Sequence, residues 1–208
     1  MKRGLLLVAT LSLCSALYAQ GTLTREEARE VFAAYNPALL QKAAQDEQLN
    51  QLLDQLLRQV VSQHSADTLE NRYTLIALAR NFENSLALNQ TLAQYQQALI
   101  YSQHGTDVTA AARAHAREKL NTLYPRIWAV SVQVKETLLR AYKVQKNAQL
   151  APAITALQAD LAQLKTNVGA QLITLTQQAL AQAEQQAQQA AQATNLHIKT
   201  NHKKPVAG

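Results

Sequence analysis

From Ile154 to Ala190 apolar residues recur in steps of three and four, and this run constrains the fold more than any other feature. Ile154, Leu157, Leu161, Leu164 and Val168 lead into Leu172, Leu175, Ala179, Ala183, Ala187 and Ala190. Such spacing marks one face of an α-helix, whereas a strand alternates every second residue. The steps form a coiled-coil-like heptad seam with one extra step of four after Val168, a stutter that relaxes a left-handed supercoil. A continuous helix over 153–193 would reach roughly 60 Å. Leucine can grip its first half. The second half, Gln177 to Gln192, is alanine and glutamine with a single Glu184, and offers little apolar area per residue. That end is expected either to pack closely through alanine, which suggests self-association, or to project. Residues 194–208 read as a disordered basic tail.

Upstream, the same composition favours helix: 208 residues hold only 5 glycines and are rich in Ala, Leu and Gln. Thr24-Arg25-Glu26-Glu27 has the form of a capping box, in which the Thr hydroxyl and the Glu carboxylate satisfy each other's backbone N–H groups. A short helix with Ala28, Val31, Phe32 and Tyr35 on its apolar side follows. Asn36-Pro37 punctuates the chain, since Asn caps well and Pro suits the first helical position. A second helix is expected from Pro37 to Gln63. Asp67-Thr68-Leu69-Glu70 opens a third helix, which runs to about Gln103 and stops at Gly105. A fourth begins near Asp107, and Pro125 ends or kinks it. Ile127 to Lys146 continues as helix, although Trp128, Val130, Val132 and Val134 also fit the alternation of a strand. Ala151-Pro152 makes the last break. The fold class is therefore all-α: an elongated antiparallel bundle of four to five long helices.

Leu49-Asn50-Gln51 through His64-Ser65 echoes Leu88-Asn89-Gln90 through His104-Gly105. The echo over 49–65 and 88–105 reads either as a duplicated helix-and-turn unit or as two Gln/Leu-rich helices matching by composition.

The N-terminus has the layout of a secretory signal peptide over residues 1–19. Lys2 and Arg3 precede the apolar run Leu5 to Leu13, and Ser15 to Ala19 forms the exit, with cleavage expected after Ala19. The run is shorter than the ~20 residues a transmembrane helix needs. Cys14, the only cysteine, lies inside this segment. Leu13 before it is not the small residue that lipidation prefers. The mature chain, 20–193 plus the tail, is expected to be periplasmic or secreted and to fold by packing alone.

The formal charge of +6 shrinks on inspection. Without Lys2 and Arg3 the chain has 18 basic and 14 acidic residues, and Lys199, Lys203 and Lys204 lie in the tail. The helical body is then nearly neutral, which argues against nucleic acid as a partner. No His-Glu-x-x-His, no Gly-x-Ser-x-Gly and no phosphate-cradling Gly loop occurs. His64 and His104 sit where a helix C-terminus favours a cation. His115 has no carboxylate at metal-ligand spacing, and His197 and His202 lie among lysines. Tyr95, Tyr101, Tyr124, Trp128 and Tyr142 are expected to pack, or else to cradle apolar client segments. The sequence thus predicts no catalytic, metal or cofactor site, and protein partners or self-association instead.

Leu23-Thr24-x-Glu26-Glu27-Ala28 followed by Asn36-Pro37-x-Leu39 resembles the segment that opens mature TolC-type outer-membrane efflux factors. The likeness covers residues 23–39. Those proteins are much longer and contain membrane strands, for which this sequence has no alternating pairs. The resemblance implies a helical periplasmic relative and not a channel.

Overall fold

The structure, a computed structural model, describes residues 22–63, 67–102 and 106–201. Among them the chain is all-α, with seven α-helices, one short 3-10 turn and no strand. It divides into two compact units, one up to Leu75 and one from Ile76 onward. The expected signal segment, His64, Gly105 and His202 to Gly208 lie outside the described residues.

The first unit contains α1 (Arg25–Tyr35), α2 (Pro37–Gln45) and α3 (Glu47–Gln63). The capping box forms as the sequence predicts. The Thr24 N–H donates to Glu27 Oε2 at 2.7 Å, and the Glu27 N–H donates to Thr24 Oγ1 at 3.2 Å. Asn36 Oδ1 accepts from the Leu39 N–H at 3.1 Å and starts α2. The expected single helix from Pro37 to Gln63 is instead two. Asp46 leaves the helical region at φ −128° and ψ 108°. Its carboxylate accepts from the Leu49 N–H at 3.1 Å. A short side chain that can cap the next helix has won over continuity. Ala28 and Phe32, Leu39 and Ala43, and Leu53, Leu57 and Val60 are the buried residues of the three helices. Arg29 Nη2 donates to Asn50 Oδ1 at 2.9 Å, and Arg25 pairs with Asp54.

The capping box makes this unit sensitive to acid. Hydrogen bonds from the Thr24 backbone N–H, then from its side chain, hold the Glu27 carboxyl below its usual range. A carboxyl with a depressed folded-state pKa contributes stability above its unfolded value and loses that contribution as pH falls through the folded one. Glu27→Gln should therefore lower the melting temperature at pH 7. The gap from the parent should close as pH drops below the ordinary Glu value of 4.5. Paired thermal melts between pH 7 and pH 3 check this, and a gap that stays constant would contradict it.

α4 (Thr68–Tyr101) is capped by Asp67, whose Oδ1 accepts from the N–H groups of Leu69 and Glu70, each at 3.0 Å. The unit boundary falls within α4, after Leu75. The second unit continues through α5 (Thr106–Val144), a 3-10 turn at Ala148–Leu150, α6 (Ala151–Thr166) and α7 (Val168–Asn201). α5 runs unbroken through Pro125, so the proline does not end the helix. The stretch from Trp128 to Val134 is helical. The Ser131 hydroxyl donates to the Ile127 carbonyl one turn back at 2.8 Å, and Val134 and Leu138 bury four residues apart.

The expected continuous helix over 153–193 is broken at Asn167, with φ −119° and ψ 28°. The break at Asn167 falls one residue before Val168, where the stutter begins. Asn167, β-branched Val168 and Gly169 are all weak helix formers, so the chain relieves the change of period locally. Beyond it the buried residues are Thr176, Ala179, Leu180, Ala183 and Ala187, while Leu175 is 43% exposed. Ala179, Ala183 and Ala187 of the expected seam are buried, but Ala190 is exposed, and Thr176 and Leu180 replace Leu175. The helix also extends to Asn201, so residues 194–201 belong to α7 and not to a tail.

The internal echo does not carry its buried face with it. Leu53, Leu57 and Val60 are buried in the first copy. In the second, Thr91 and Tyr95 are buried, and these align with Leu52 and Leu56, one position away. The two segments face their cores with different sides.

Candidate functional site

The second unit is built on pairings far apart in sequence. Arg80 reaches Gln133, and the Asn81 amide donates to the Ile127 carbonyl, each at 3.4 Å, which sets α4 against α5 as an antiparallel pair. Lys135 pairs with Asp160 and Lys165 with Glu136, which ties α6 to the C-terminal part of α5. α7 runs antiparallel to α5, since residue numbers rise along α7 from one pairing to the next as they fall along α5. The Thr176 hydroxyl lies 3.2 Å from Asn121 Oδ1, and Arg113 pairs with Glu184.

Small residues let α7 approach closely. Ala116 and Leu120 of α5, Tyr95 of α4, and Ala179, Leu180 and Ala183 of α7 make one buried cluster. Leu88, Leu92, Leu99, Ala112 and Tyr124 pack around it. At its edge the Tyr95 hydroxyl donates to Glu184 Oε1 at 2.8 Å, the same oxygen that pairs with Arg113. Burial first, and the neighbouring Glu184 second, push the Tyr95 phenol up to about 12. It is a neutral donor that holds Glu184 in place.

Beyond this cluster the surface opens into a shallow groove of about 330 Å³. Leu99, Ile100, Ala187 and Ala191 supply its apolar walls, and Glu184 and Gln188 its polar ones. Of these Ile100 is 36% exposed, and the next residue in the chain, Tyr101, is 76% exposed. The groove has the chemistry of a surface that takes an apolar segment with a polar or cationic neighbour. Sequence reasoning did not find it, because its walls come from helices about 90 residues apart.

The residues weighed from sequence do not converge here. His115 is exposed on α5. Tyr95 and Tyr142 are buried, and Tyr124 and Trp128 are partly buried, so these four pack. Tyr101 alone of the five projects. Among the described residues, no group of three His, Cys, Asp or Glu side chains is placed to hold a metal ion. No described helix is long and apolar enough to cross a membrane.

The apparent neutrality of the body also resolves once the units are known. Residues 22–75 hold five basic and eight acidic side chains, whereas residues 76–194 hold ten basic and six acidic. An acidic unit and a basic unit had cancelled in the whole-chain count. Compared with known protein families, curated proteins and solved structures, the chain matches none.

Proposed function

We propose that this chain is an exported, non-catalytic helical protein of the cell envelope that binds other proteins as a scaffold, adaptor or chaperone. The observation that carries the reading is the groove lined by Leu99, Ile100 and Ala187, in which Ile100 is left exposed next in sequence to exposed Tyr101. Apolar side chains left in water beside a concave surface mark a site for a partner's apolar residues. Export rests on the signal-like layout of residues 1–19.

The test is suppression of aggregation by residues 20–208, using a reduced, unfolding client. The parent should hold the client soluble near equimolar ratio, and Ile100→Glu should lose most of this while keeping its helical circular dichroism. A parent that stays strictly monomeric, binds no partner and leaves aggregation unchanged would sink the reading. A second reading, an efflux-associated component related to TolC-type helices, is supported by the Thr24 and Asn36 caps at the segment of resemblance. It predicts that transporter parts co-purify from membranes with the tagged chain.

A further inference from the structure

We infer that a second copy of this chain docks on the groove between α4 and α7, joined through an almost charge-free face of the second unit. This rests on the reading of the groove as a protein-binding surface and names its occupant. α4 and α7 are neighbours running the same way: the Tyr95 hydroxyl donates to Glu184, Gln96 donates to Gln186, and Leu99 and Ile100 line the groove with Ala187 and Ala191. From Asn84 to Tyr101 α4 has no charged residue, and from Val168 to Thr194 α7 has only Glu184. That carboxylate is already held by Arg113 and Tyr95. At the chain's own 16% of charged residues, these 45 positions would hold about seven. α5 alongside does expose charge, at Arg113, Arg117, Glu118, Lys119 and Arg126. Four of the seven large apolar side chains exposed among the described residues, Ile100, Tyr101, Ile173 and Leu175, lie on the two charge-poor stretches. Apolar side chains concentrated where charge is missing do not make an ordinary solvated surface. Ala93 lies one heptad before Ile100, and Ile173 two heptads before Ala187, so the face extends back from the groove along both helices.

The chemistry of the face selects what covers it. A charged partner segment would lose its hydration here without meeting a free counter-charge. The exposed polar side chains are largely amides, among them Asn89, Gln97 and Gln188, and an amide both donates and accepts. A surface of amides and apolar groups is therefore complementary to itself, as a twofold interface requires. The basic side of α5 would instead repel its own copy. From Ile173 to Ala191 the face is about 27 Å long, and two helices make it about 20 Å wide. Pairing two such faces would bury about 1,100 Å², just above the ~1,000 Å² that a specific contact needs and below the standard size. The dimer is therefore a weak one that forms and parts with concentration. With the twofold axis near the groove, Ile100 of each copy seats against the groove of the other.

Sedimentation of residues 20–208 over a concentration series tests it. The mass should rise toward twice that of the monomer between about 1 and about 100 µM. Two faces of opposite charge then read the site, one made by A93E with Q188E and the other by A93K with Q188K. Each should weaken self-association by at least about tenfold, because like charges meet across the axis. Mixing the two should restore association as a mixed dimer, which a folding defect would not allow. Ala129→Glu, at an exposed position of α5, should dimerise like the parent. A parent that stays monomeric at about 100 µM would overturn the proposal. So would charged faces that associate like the parent, a mixture that stays monomeric, or an equal loss from Ala129→Glu. Failure here is separable from failure of the client-binding reading. A monomeric parent that still protects the client through Ile100 would overturn the dimer and keep the client. A dimer that protects no client would uphold the dimer and remove the client.

Discussion

Leu120→Ala should remove about 2–5 kcal/mol from the stability of the second unit, the largest loss expected of any single substitution considered for it. Leu120 is fully buried, and three of its five partners in the cluster are alanines. Alanine contacts mean that the helices already approach closely, so the site has little room to collapse around the missing atoms. The cost then includes a cavity term as well as lost transfer energy. Domains are stable by only about 5–15 kcal/mol, so the change is a large fraction of the total. Trp128, the only tryptophan, lies in the same unit and reports its unfolding in urea. The midpoint should fall with the slope unchanged. Leu120→Met, which conserves volume, should cost less than about 1.5 kcal/mol. Equal effects from Ala and Met would show that the packing around Leu120 is not tight.

What could be read from the sequence divides along a physical line. Thr24, Asn36 and Asp67 were legible as caps because a cap is a local event, settled by a side chain and a backbone N–H within three residues. Asp46 belongs to the same class and was still missed. The signal was present, since no apolar residue falls between Ala44 and Leu49, but one long periodic helix absorbed the gap. Asn167 was half legible. The stutter gave its place, but not that the helix would break instead of bending. Pairings such as Tyr95 with Glu184, 89 residues apart, have no local signature. The groove follows from that register, so it could not be derived before the helices were aligned. Charge shows the same limit, because a whole-chain sum conceals opposite units until their boundary is known.

Pro125→Ala should stabilise the second unit by about 1–3 kcal/mol. A proline inside a helix lacks the N–H that would reach back to the carbonyl four residues earlier, here Asn121, and its ring crowds that carbonyl. α5 nevertheless continues through it from Thr106 to Val144. Alanine restores the donor and is the best helix former, worth about 3 kcal/mol over proline in a helix interior. Part of this is offset, because proline also restricts the unfolded chain by about 0.4–1 kcal/mol. Pro125 is exposed, so the substitution leaves the core cluster untouched. The urea midpoint, read through Trp128, should therefore rise. A fall would have a specific meaning. Two interhelical contacts flank the proline: the Asn81 amide on the Ile127 carbonyl, and the Thr176 hydroxyl beside Asn121 Oδ1. If α5 needs the proline to satisfy both neighbours at once, relaxing the helix would pull one contact apart. Combining Pro125→Ala with Thr176→Val separates the cases. Additive effects would point to the backbone alone, whereas strong coupling would show that the proline sets the course on which α7 docks.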